Sequence, residues 1–512
     1  MSTQASSAPV ADSSHTTEKN SSVSSHRTGF NLKTVWFILA HLVMVGILLL
    51  PGSESLSWNG QIALAMLGFA VIMWVTEAVS YPVSSIMIIG YTAISLGFAP
   101  DPEAPDKTLG TTKALGIALT GFSSSGVALV AAALALAAAM QATGLHKRIA
   151  LVVLRFAGEK TSHIVIGAIV ISIILAFFVP SATARGGAIV PILLGMVAAF
   201  GLANNSKLSA LLIITAAQSI SIWNIGIKTA AAQNLVAMNF IQDATGQNVS
   251  WGEWFLWAAP WSLLMSIALF FIMRWAIKPE TEHMEGGKET VHQQLTELGP
   301  MTGKEIRLVI VSVLLLFFWA TEDVLHPVDS STVTLVAIGF LLLPGIGVFT
   351  WKEAEKLINW GTLVVFAIGI SLGSLLLSTG AAKWLSTETF GALGLSEMPM
   401  LATIALVSAF TVLIHLGFAS ATSLSSALIP VYIALASTLN APNDGLGFVI
   451  IQQFLISFGF MLPVSAPQNM LAYGTGAFTT KQFIKTGIPL TIVGYLLVLL
   501  FSATYWKWLG LV

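Results

Sequence analysis

The chain has 512 residues, of which 55% are hydrophobic and only 9% are charged, and its formal net charge is −1. So few charges cannot cover the surface of a soluble globule of this size, and the composition therefore predicts a polytopic membrane protein. The chain contains no cysteine, which excludes disulfide bonds and thiol catalysis.

The N-terminal segment differs in composition from the rest of the chain. Residues 1–28 are rich in serine and threonine, carry both charge signs and contain no apolar run. They predict a disordered cytoplasmic tail, which we extend to residue 33, and not a secretory signal. A transit peptide is the alternative, although Asp12 and Glu18 argue against it.

Apolar runs of about 20 residues follow the tail, and each is long enough for one crossing of a bilayer. Those of the first half lie at 34–51, 60–79, 83–100, 121–143 and 253–276. Residues 145–160 instead carry basic residues among aliphatic ones at helical spacing, which predicts an interfacial helix along the membrane surface.

Two further segments of the first half are interrupted by polar residues. Residues 163–200 are too long for one crossing and carry Pro-Ser-Ala-Thr at 180–183, so we predict a re-entrant hairpin with this motif at its tip. A span from 208 to about 242 is broken between residues 224 and 233. Backbone that leaves the helix inside a membrane survives only against protein or a watery cavity, and paired breaks of this kind mark transporter substrate sites.

The second half repeats this order. After a charged linker we predict spans at 306–321, 331–349 and 360–380, a short interfacial segment, a hairpin at 400–437, a span broken near 463–469 and a last span at 487–508. The Ser-Ala-Thr motif at 181–183 returns at 420–422 with an offset of 239 residues. The Gln-Asn pair at 233–234 returns at 468–469 with an offset of 235.

The chain therefore divides into six predicted segments. They are a tail (1–33), scaffold spans of the first half (34–160), a hairpin and broken span of a transport domain (161–276), a cytoplasmic linker (277–304), scaffold spans of the second half (305–397) and a second hairpin and broken span (398–512). Of the 23 lysines and arginines, 17 fall in segments that this layout places inside and four in segments outside. The bias supports eleven crossings with a cytoplasmic N-terminus, and five crossings between matching elements imply an inverted repeat.

Carboxylates are missing from the predicted core. None of the 24 Asp and Glu residues lies between 160 and 242, and only Asp444 follows residue 398. The ionisable residues that remain in this core of hairpins and broken spans are Arg185, Lys228 and His415. With hydroxyls and exposed helix N-termini, they favour an anionic substrate over a cation.

Amides and hydroxyls of the broken spans add candidate ligands. They are Asn224, Asn234, Asn469, Thr229, Ser465 and Thr475. Structural roles are the alternatives at several sites: small residues at the tips pack helices, Arg185 caps backbone carbonyls or snorkels to the interface, and His415 is a satisfied buried histidine. For Lys228 the structural and functional interpretations are balanced.

Residues 34–512 resemble the divalent anion:sodium symporter family of di- and tricarboxylate transporters, and the paired motifs carry this resemblance. Its members carry Ser-Asn-Thr at the tips of two opposed hairpins, and two broken helices with a Pro/Thr-rich turn before Asn. The motifs at 181–183 and 420–422 look like those tips, and residues 463–469 look like the second break. The resemblance implies an all-α fold of about 11 transmembrane helices, an elevator motion and a homodimer.

The resemblance also implies roles for individual residues. By the family's pattern Ser181, Thr183, Ser420 and Thr422 contact substrate carboxylate. The family's motif Asn, which serves substrate and sodium, is replaced by Ala182 and Ala421, so a sodium ion here would depend on backbone carbonyls. We expect any such ion near these two alanines, Thr229 and Ser465.

The sequence Thr-Ala-Arg at 183–185 looks like the 2-oxoglutarate/malate and citrate/succinate exchanger branch of the family. In that branch a fixed cation would take the place of sodium. Arg185, Lys228 and His415 are the candidates for this role, and we count them among the substrate-binding residues with Asn234 and Asn469.

Together these features predict a secondary active transporter, not an enzyme, in a bacterial inner membrane. We expect small dicarboxylates of the succinate, malate, fumarate and 2-oxoglutarate class, carried by exchange or cation symport. A sulfate or sulfonate carrier on the same fold is the alternative. A channel or an intramembrane enzyme fits less well, because the core lacks a catalytic set and the broken helices favour alternating access. We expect no cofactor beyond a possible coupling Na⁺, and no nucleic-acid partner.

Overall fold

The structure is a computed structural model that describes residues 32–283, 286–439 and 441–512. The predicted tail at 1–33 lies outside these ranges except for residues 32 and 33, which begin the first helix. Within the described ranges nine helices are long and apolar enough to cross a membrane, which confirms a helical polytopic protein. The layout of eleven crossings, in which shorter helices also cross, stays a prediction.

The first half contains eleven α-helices. They are α1 (Leu32–Leu49), α2 (Trp58–Thr76), α3 (Tyr81–Gly97), α4 (Thr111–Ala118), α5 (Ser125–Thr143), α6 (Leu145–Ala157), α7 (Thr161–Phe178), α8 (Ala182–Ala199), α9 (Lys207–Gly226), α10 (Ala232–Thr245) and α11 (Trp251–Ala276). The predicted interfacial helix is α6, the hairpin arms are α7 and α8, and the two parts of the broken span are α9 and α10. The sequence analysis did not anticipate α4.

Twelve more helices follow. They are α12 (Gly287–Glu297) in the linker, α13 (Gly303–Thr321), α14 (Ser330–Leu342), α15 (Trp351–Leu357), α16 (Trp360–Ser378), α17 (Ala381–Thr389), α18 (Met400–His415), α19 (Ala421–Ala436), α20 (Leu446–Ile456), α21 (Pro467–Gly474), α22 (Thr480–Ala503) and α23 (Tyr505–Trp508). The second hairpin consists of α18 and α19, and the second broken span of α20 and α21. The order of elements therefore repeats between the halves.

Local sequence explains where many of these helices begin. A helix leaves its first backbone N–H groups without partners, and a preceding Ser or Thr with an acid or amide three residues later satisfies two of them. Such capping boxes start α11, α13, α15 and α22, with Ser250, Thr302, Thr350 and Thr479 as the capping residues. Gly144 (φ 73°) ends α5, and Gly380 (φ 73°) directly precedes α17. The two glycines occupy matching positions in the two halves.

A small antiparallel hairpin, β1 (Pro100–Asp101) with β2 (Ala104–Thr108), separates α3 from α4. Lys113 closes it, because its Nζ lies 3.2 Å from a carboxylate oxygen of Asp101 and 3.2 Å from one of Glu103. In the predicted layout this hairpin lies on the side of the membrane opposite the cytoplasm.

The hydrophobic core centres on α9, whose 18-residue apolar window is entirely buried. It packs against α7, α8 and α11. A second cluster of buried apolar side chains joins α1, α2 and α3 to α16 and α17. A helix buried on every side must be surrounded by protein, so the broken span that begins with α9 is shielded from lipid.

The linker binds the predicted cytoplasmic ends of several helices. Nε of Arg148 on α6 lies 2.6 Å from Oε1 of Glu305, and its guanidinium also donates to carbonyls of the linker at 298–300. The backbone N–H of Thr161 donates to O of Glu282 at 3.0 Å. The linker therefore ties the interfacial helix and the first hairpin together.

Glu280 of this linker caps the start of α9. Its two carboxylate oxygens accept the backbone N–H groups of Lys207 at 2.7 Å and Leu208 at 2.9 Å. Partial burial raises the pKa of Glu280, but these hydrogen bonds outweigh it and hold the pKa below its usual value of 4.5. The ionised carboxylate is the form that stabilises the helix start.

We expect the substitution Glu280→Gln to lower the stability near pH 7 by about 0.5–1 kcal/mol, discounted for an exposed group. Because the folded-state pKa is depressed, this contribution is present above pH 4.5 and is lost as the pH falls through the folded-state value. Thermal unfolding of both proteins at several pH values measures it. A difference between them that stays constant down to pH 4 would contradict this account.

Candidate functional site

The first hairpin breaks at its predicted tip. Helix α7 ends at Phe178, and α8 begins at Ala182 after three non-helical residues. Ser181 is extended, with φ −148° and ψ 112°, and its Oγ accepts the backbone N–H of Ala184 at 3.3 Å. The N-terminus of α8, with its free N–H groups and positive dipole end, therefore lies at the tip.

The second hairpin has the same geometry. Helix α18 ends at His415 and α19 begins at Ala421. Ser420 is extended, with φ −131° and ψ 114°, and its Oγ accepts the backbone N–H of Ser423 at 3.2 Å. The two Ser-Ala-Thr motifs thus start two helices in one conformation, as the repeat predicts.

The broken spans also match each other. After α9 an extended residue leads into a 3₁₀ turn, Lys228–Ala230, and a second extended residue precedes α10. The turn Pro463–Ser465 stands between extended residues in the same way, before α21. Nδ2 of Asn234 donates to O of Asn224, and Nδ2 of Asn469 donates to O of Gly459, both at 2.7 Å. The donor and the acceptor residue of the second hydrogen bond each lie 235 residues after those of the first.

A cavity of about 1210 Å³ brings both tips and both breaks together. The predicted residues in its wall are Ser181, Ala182, Thr183, Asn224, His415, Ser420, Ala421, Thr422 and Ser465. The predicted residues outside the wall are Arg185, Lys228, Thr229, Asn234, Asn469 and Thr475. The structure thus places the four tip hydroxyls at one cavity and the two motif asparagines behind it.

Arg185 lies behind the first tip, fully buried at 0% exposure. Its Nη2 donates to Oδ1 of Asn224, which does line the cavity, and to O of Ala230 at 3.0 Å. Among the described residues, Nε and Nη1 have no partner and no ion pair involves Arg185. A positive charge therefore sits beside the cavity without a carboxylate to neutralise it.

His415 contributes an imidazole to the cavity wall at the second tip. Its Nε2 donates to O of Ser465 at 3.2 Å, which places a proton on that nitrogen. In the part of the chain that the structure describes, neither Nδ1 of His415 nor the buried Oγ of Ser465 has a hydrogen-bond partner. At the second break, Nδ1 of His415 can therefore accept a hydrogen bond, and the hydroxyl of Ser465 can donate or accept one.

Lys228 and Thr229 point away from the cavity. Nζ of Lys228 donates to O of Val249 at 2.5 Å, and Oγ1 of Thr229 accepts from Nε1 of Trp251 at 3.3 Å. Both partners belong to the start of α11 or to the loop before it. The contacts of these residues are the ones expected for structural roles at the break.

Sequence reasoning missed Gln233 and Gln468 as parts of the cavity wall. Each stands directly before a motif asparagine, so the repeat at an offset of 235 already paired them. We singled out the asparagines because the family pattern ends in Asn. In the fold, each Asn side chain donates to a backbone carbonyl of its own broken span, and the Gln before it lines the cavity.

The charge of the cavity wall is also informative. Among the described lining residues, Glu77 is the one carboxylate, and Oη of Tyr81 donates to its Oε1 at 2.8 Å. Lys33, Lys147 and Asn359 line the cavity and are solvent-exposed, so the cavity reaches the surface there. The floor between the tips thus presents hydroxyls, helix N-termini and an imidazole, a set that suits an anion.

Comparisons with known proteins agree with these features. A family model described as the sodium:sulfate symporter transmembrane region matches residues 32–512. The chain is 24% identical over 489 residues to the sodium-dependent dicarboxylate transporter SdcS of Staphylococcus saprophyticus, covering 91% of this chain and 90% of that protein. It is 26% identical over 467 residues to the citrate/succinate antiporter of Escherichia coli K12, covering 88% and 94%.

A solved structure shares the fold. The Alcanivorax borkumensis YdaH transporter superposes with a TM-score of 0.54 at 14% sequence identity, covering 86% of this chain and 99% of that one. At this identity the likeness concerns the fold alone. The family match spans nearly the whole chain, and the family and both relatives are transporters and not enzymes. The chain therefore belongs to the divalent anion:sodium symporter family and is a multi-pass membrane transporter of divalent anions.

Proposed function

We propose that the protein carries small dicarboxylates of the succinate and malate class across a bacterial inner membrane by exchange. The observation that supports this best is the pairing of two helix N-termini, each capped by a serine, in one cavity. A dicarboxylate has a charged group at each end, and each carboxylate would accept hydrogen bonds from one tip. The names of the two relatives, a dicarboxylate transporter and a citrate/succinate antiporter, point to the same substrates.

Ser181 and Thr183 would bind one carboxylate, and Ser420 and Thr422 the other. All four line the cavity. Asn234 and Asn469 would support the site from behind, since their side chains hold the broken backbone in place. Lys228 would stabilise the first break through Val249.

The coupling mode follows from the charges next to the tips. Where relatives would hold sodium, this chain has Ala182 and Ala421, whose side chains offer no ligand, and Arg185 stands beside the first tip. A fixed cation neutralises the bound substrate, but its charge stays in the site after the substrate has left. The empty, charged site would cross the membrane slowly, so exchange of one substrate for another would dominate. Sodium fits as a coupling ion in the alternative, with Ser465 and backbone carbonyls as its ligands.

The cavity reaches the surface near Lys33, Lys147 and Asn359, all in segments that the distribution of lysine and arginine places in the cytoplasm. We therefore assign this conformation as open to the cytoplasm. The inverted repeat, the elevator motion of the hairpins and broken spans, and a homodimer belong to the same proposal. Substrate would move with the tips while the scaffold helices stay fixed.

Uptake into proteoliposomes tests the proposal. We expect labelled succinate, malate and 2-oxoglutarate to enter vesicles loaded with unlabelled dicarboxylate, at a rate at least ten times that in empty vesicles and without a sodium gradient. Empty vesicles that accumulate substrate only with external sodium would show symport instead. Uptake of labelled sulfate that unlabelled sulfate blocks and succinate does not would favour the sulfate or sulfonate carrier, in line with the family description.

A further inference from the structure

Gln233 and Gln468 occupy matching positions in the two halves. Each is the second residue of the helix that follows a break, α10 or α21. Both side chains line the cavity that contains the two tips. They are nearly buried, with exposures of 7% and 2%, so their amide groups must find partners in the protein or face the cavity.

The two amides reach across the boundary between the halves in opposite directions. Nε2 of Gln233, in the first half, donates to Oγ of Ser457 in the second half at 3.2 Å. Nε2 of Gln468, in the second half, donates to Oγ of Ser221 in the first half at 2.9 Å. The pair forms a reciprocal link between the two broken spans.

The orientation of the Gln468 amide is determined by its partner. The hydroxyl of Ser221 donates its proton to O of Ala217 at 3.2 Å, so Oγ accepts from Gln468 and the nitrogen must face Ser221. The oxygen Oε1 therefore points the other way. In the matching contact the Gln233 amide likewise presents its nitrogen to Ser457.

The carbonyl oxygens of both amides are left for the cavity. Oε1 of Gln233 and Oε1 of Gln468 accept no hydrogen bond within 32–283, 286–439 and 441–512, and neither is enclosed by protein. Oε1 of Gln218, by contrast, is enclosed without a partner, and Gln218 does not line the cavity. Two unpaired acceptors thus face the cavity that also holds the tips.

A carbonyl oxygen recognises a different group from the one that the tips bind. It repels a carboxylate but accepts a hydrogen bond from a hydroxyl. A fully ionised dicarboxylate has no donor unless its carbon chain carries one, as the hydroxyl of malate does and the methylenes of succinate do not. The two acceptors therefore suit a hydroxyl on the chain between the carboxylates.

We propose that Gln233 and Gln468 are specificity-determining residues, one of which accepts the single proton of the hydroxyl of a 2-hydroxydicarboxylate, so that the site favours malate over succinate. The inference rests on the proposed function, since it requires a dicarboxylate held between the tips. Bound succinate would leave the glutamine oxygen without a donor, and this disfavours succinate relative to malate. The links to Ser221 and Ser457 hold the two amides in the orientation that this recognition needs.

The variants Gln233→Leu and Gln468→Leu test this, because leucine keeps a similar volume and removes the acceptor. Vesicles are loaded with unlabelled succinate, and kcat and KM are measured for labelled malate and labelled succinate. We expect at least one variant to lose about fivefold in the malate-to-succinate ratio of kcat/KM, the equivalent of one hydrogen bond. The loss should appear in the KM for malate, with the KM for succinate changed less than twofold.

Gln242→Leu is the matched control, because Gln242 lies on the same helix as Gln233, is exposed and does not line the cavity, so this variant should leave the ratio unchanged. Equal losses for malate and succinate in both glutamine variants would overturn the inference and leave the two residues as links between the halves. A raised sodium requirement with an unchanged ratio would overturn it in favour of cation binding. If the wild type transports neither substrate, the proposed function fails and the inference with it, before any variant is compared.

Discussion

Replacing Arg185 by glutamine is expected to lower dicarboxylate exchange about a hundredfold while leaving the protein at least as stable as the wild type. The guanidinium is fully buried at membrane depth, and two of its nitrogens have no partner. Burying a charge without a counter-ion costs several kcal/mol, so removing it relieves the folded state. Glutamine also keeps a donor that can serve Asn224 or the carbonyl of Ala230, the two present partners.

Transport should respond in the opposite direction. If Arg185 supplies the positive field that holds a divalent anion at the first tip, its loss removes a charge interaction of about 3 kcal/mol, which is roughly a hundredfold in affinity. The measurement combines exchange of labelled succinate with thermal unfolding followed by tryptophan fluorescence. The expected pattern is a hundredfold loss of exchange with an unchanged or higher unfolding midpoint.

Arg155→Gln provides the control, since Arg155 is an exposed arginine on the interfacial helix α6. It should change neither quantity. An Arg185→Gln protein that unfolds several degrees below the wild type would indicate the structural alternative, in which Arg185 serves to cap the carbonyl of the break. Retention of more than half of the exchange activity would exclude a role at the substrate.

The sequence predicted the hairpins and breaks because each is encoded locally. A short polar motif interrupts each apolar run, and Ser181 and Ser420 then cap the helix that follows. The repeat supplied a second copy of each motif, which separated these signals from chance. The bounds of the hairpin arms in the structure accordingly differ from the predicted ones by only a few residues.

Side-chain direction could not be predicted in the same way. Asn234 and Gln233 are neighbours of similar polarity, and only the fold shows that the first ties the break while the second lines the cavity. Lys228 carries a charge at membrane depth, but its partner, the carbonyl of Val249, lies in a loop that no sequence pattern connects to it. The pairing of Gln468 with Ser221 likewise joins residues 247 positions apart.

The charge of the cavity wall bears on the substrates that we propose. The hydroxyls and helix N-termini at the tips would each bind one carboxylate, and among the described lining residues Glu77 alone adds negative charge to the wall. Its backbone has φ 46°, a left-handed conformation that non-glycine residues seldom adopt, where α2 ends. Glu77 and Tyr81 together would exclude a third carboxylate from that side of the cavity.

Replacing Gly487 by alanine is expected to destabilise the protein by about 3 kcal/mol and to impair transport. Gly487 lies within α22, where an added Cβ would come within 2.0 Å of O of Phe460 and 3.0 Å of Cα of Met461. Both are backbone atoms of the second break, so they cannot move aside as a flexible side chain would. O of Phe460 also accepts from Nε2 of Gln218 at 2.8 Å, and its displacement would break this link between the halves.

Helix propensity alone gives the opposite sign, since alanine is favoured over glycine by about 1 kcal/mol in a helix. Gly339 in α14 separates the two effects, because nothing lies within 4 Å of a Cβ added there. Gly339→Ala should therefore leave the unfolding midpoint unchanged or raise it slightly, while Gly487→Ala lowers it by several degrees. If the two variants unfold at the same temperature, α22 does not press on the backbone of the second break, and the glycine would have no part in shaping the site.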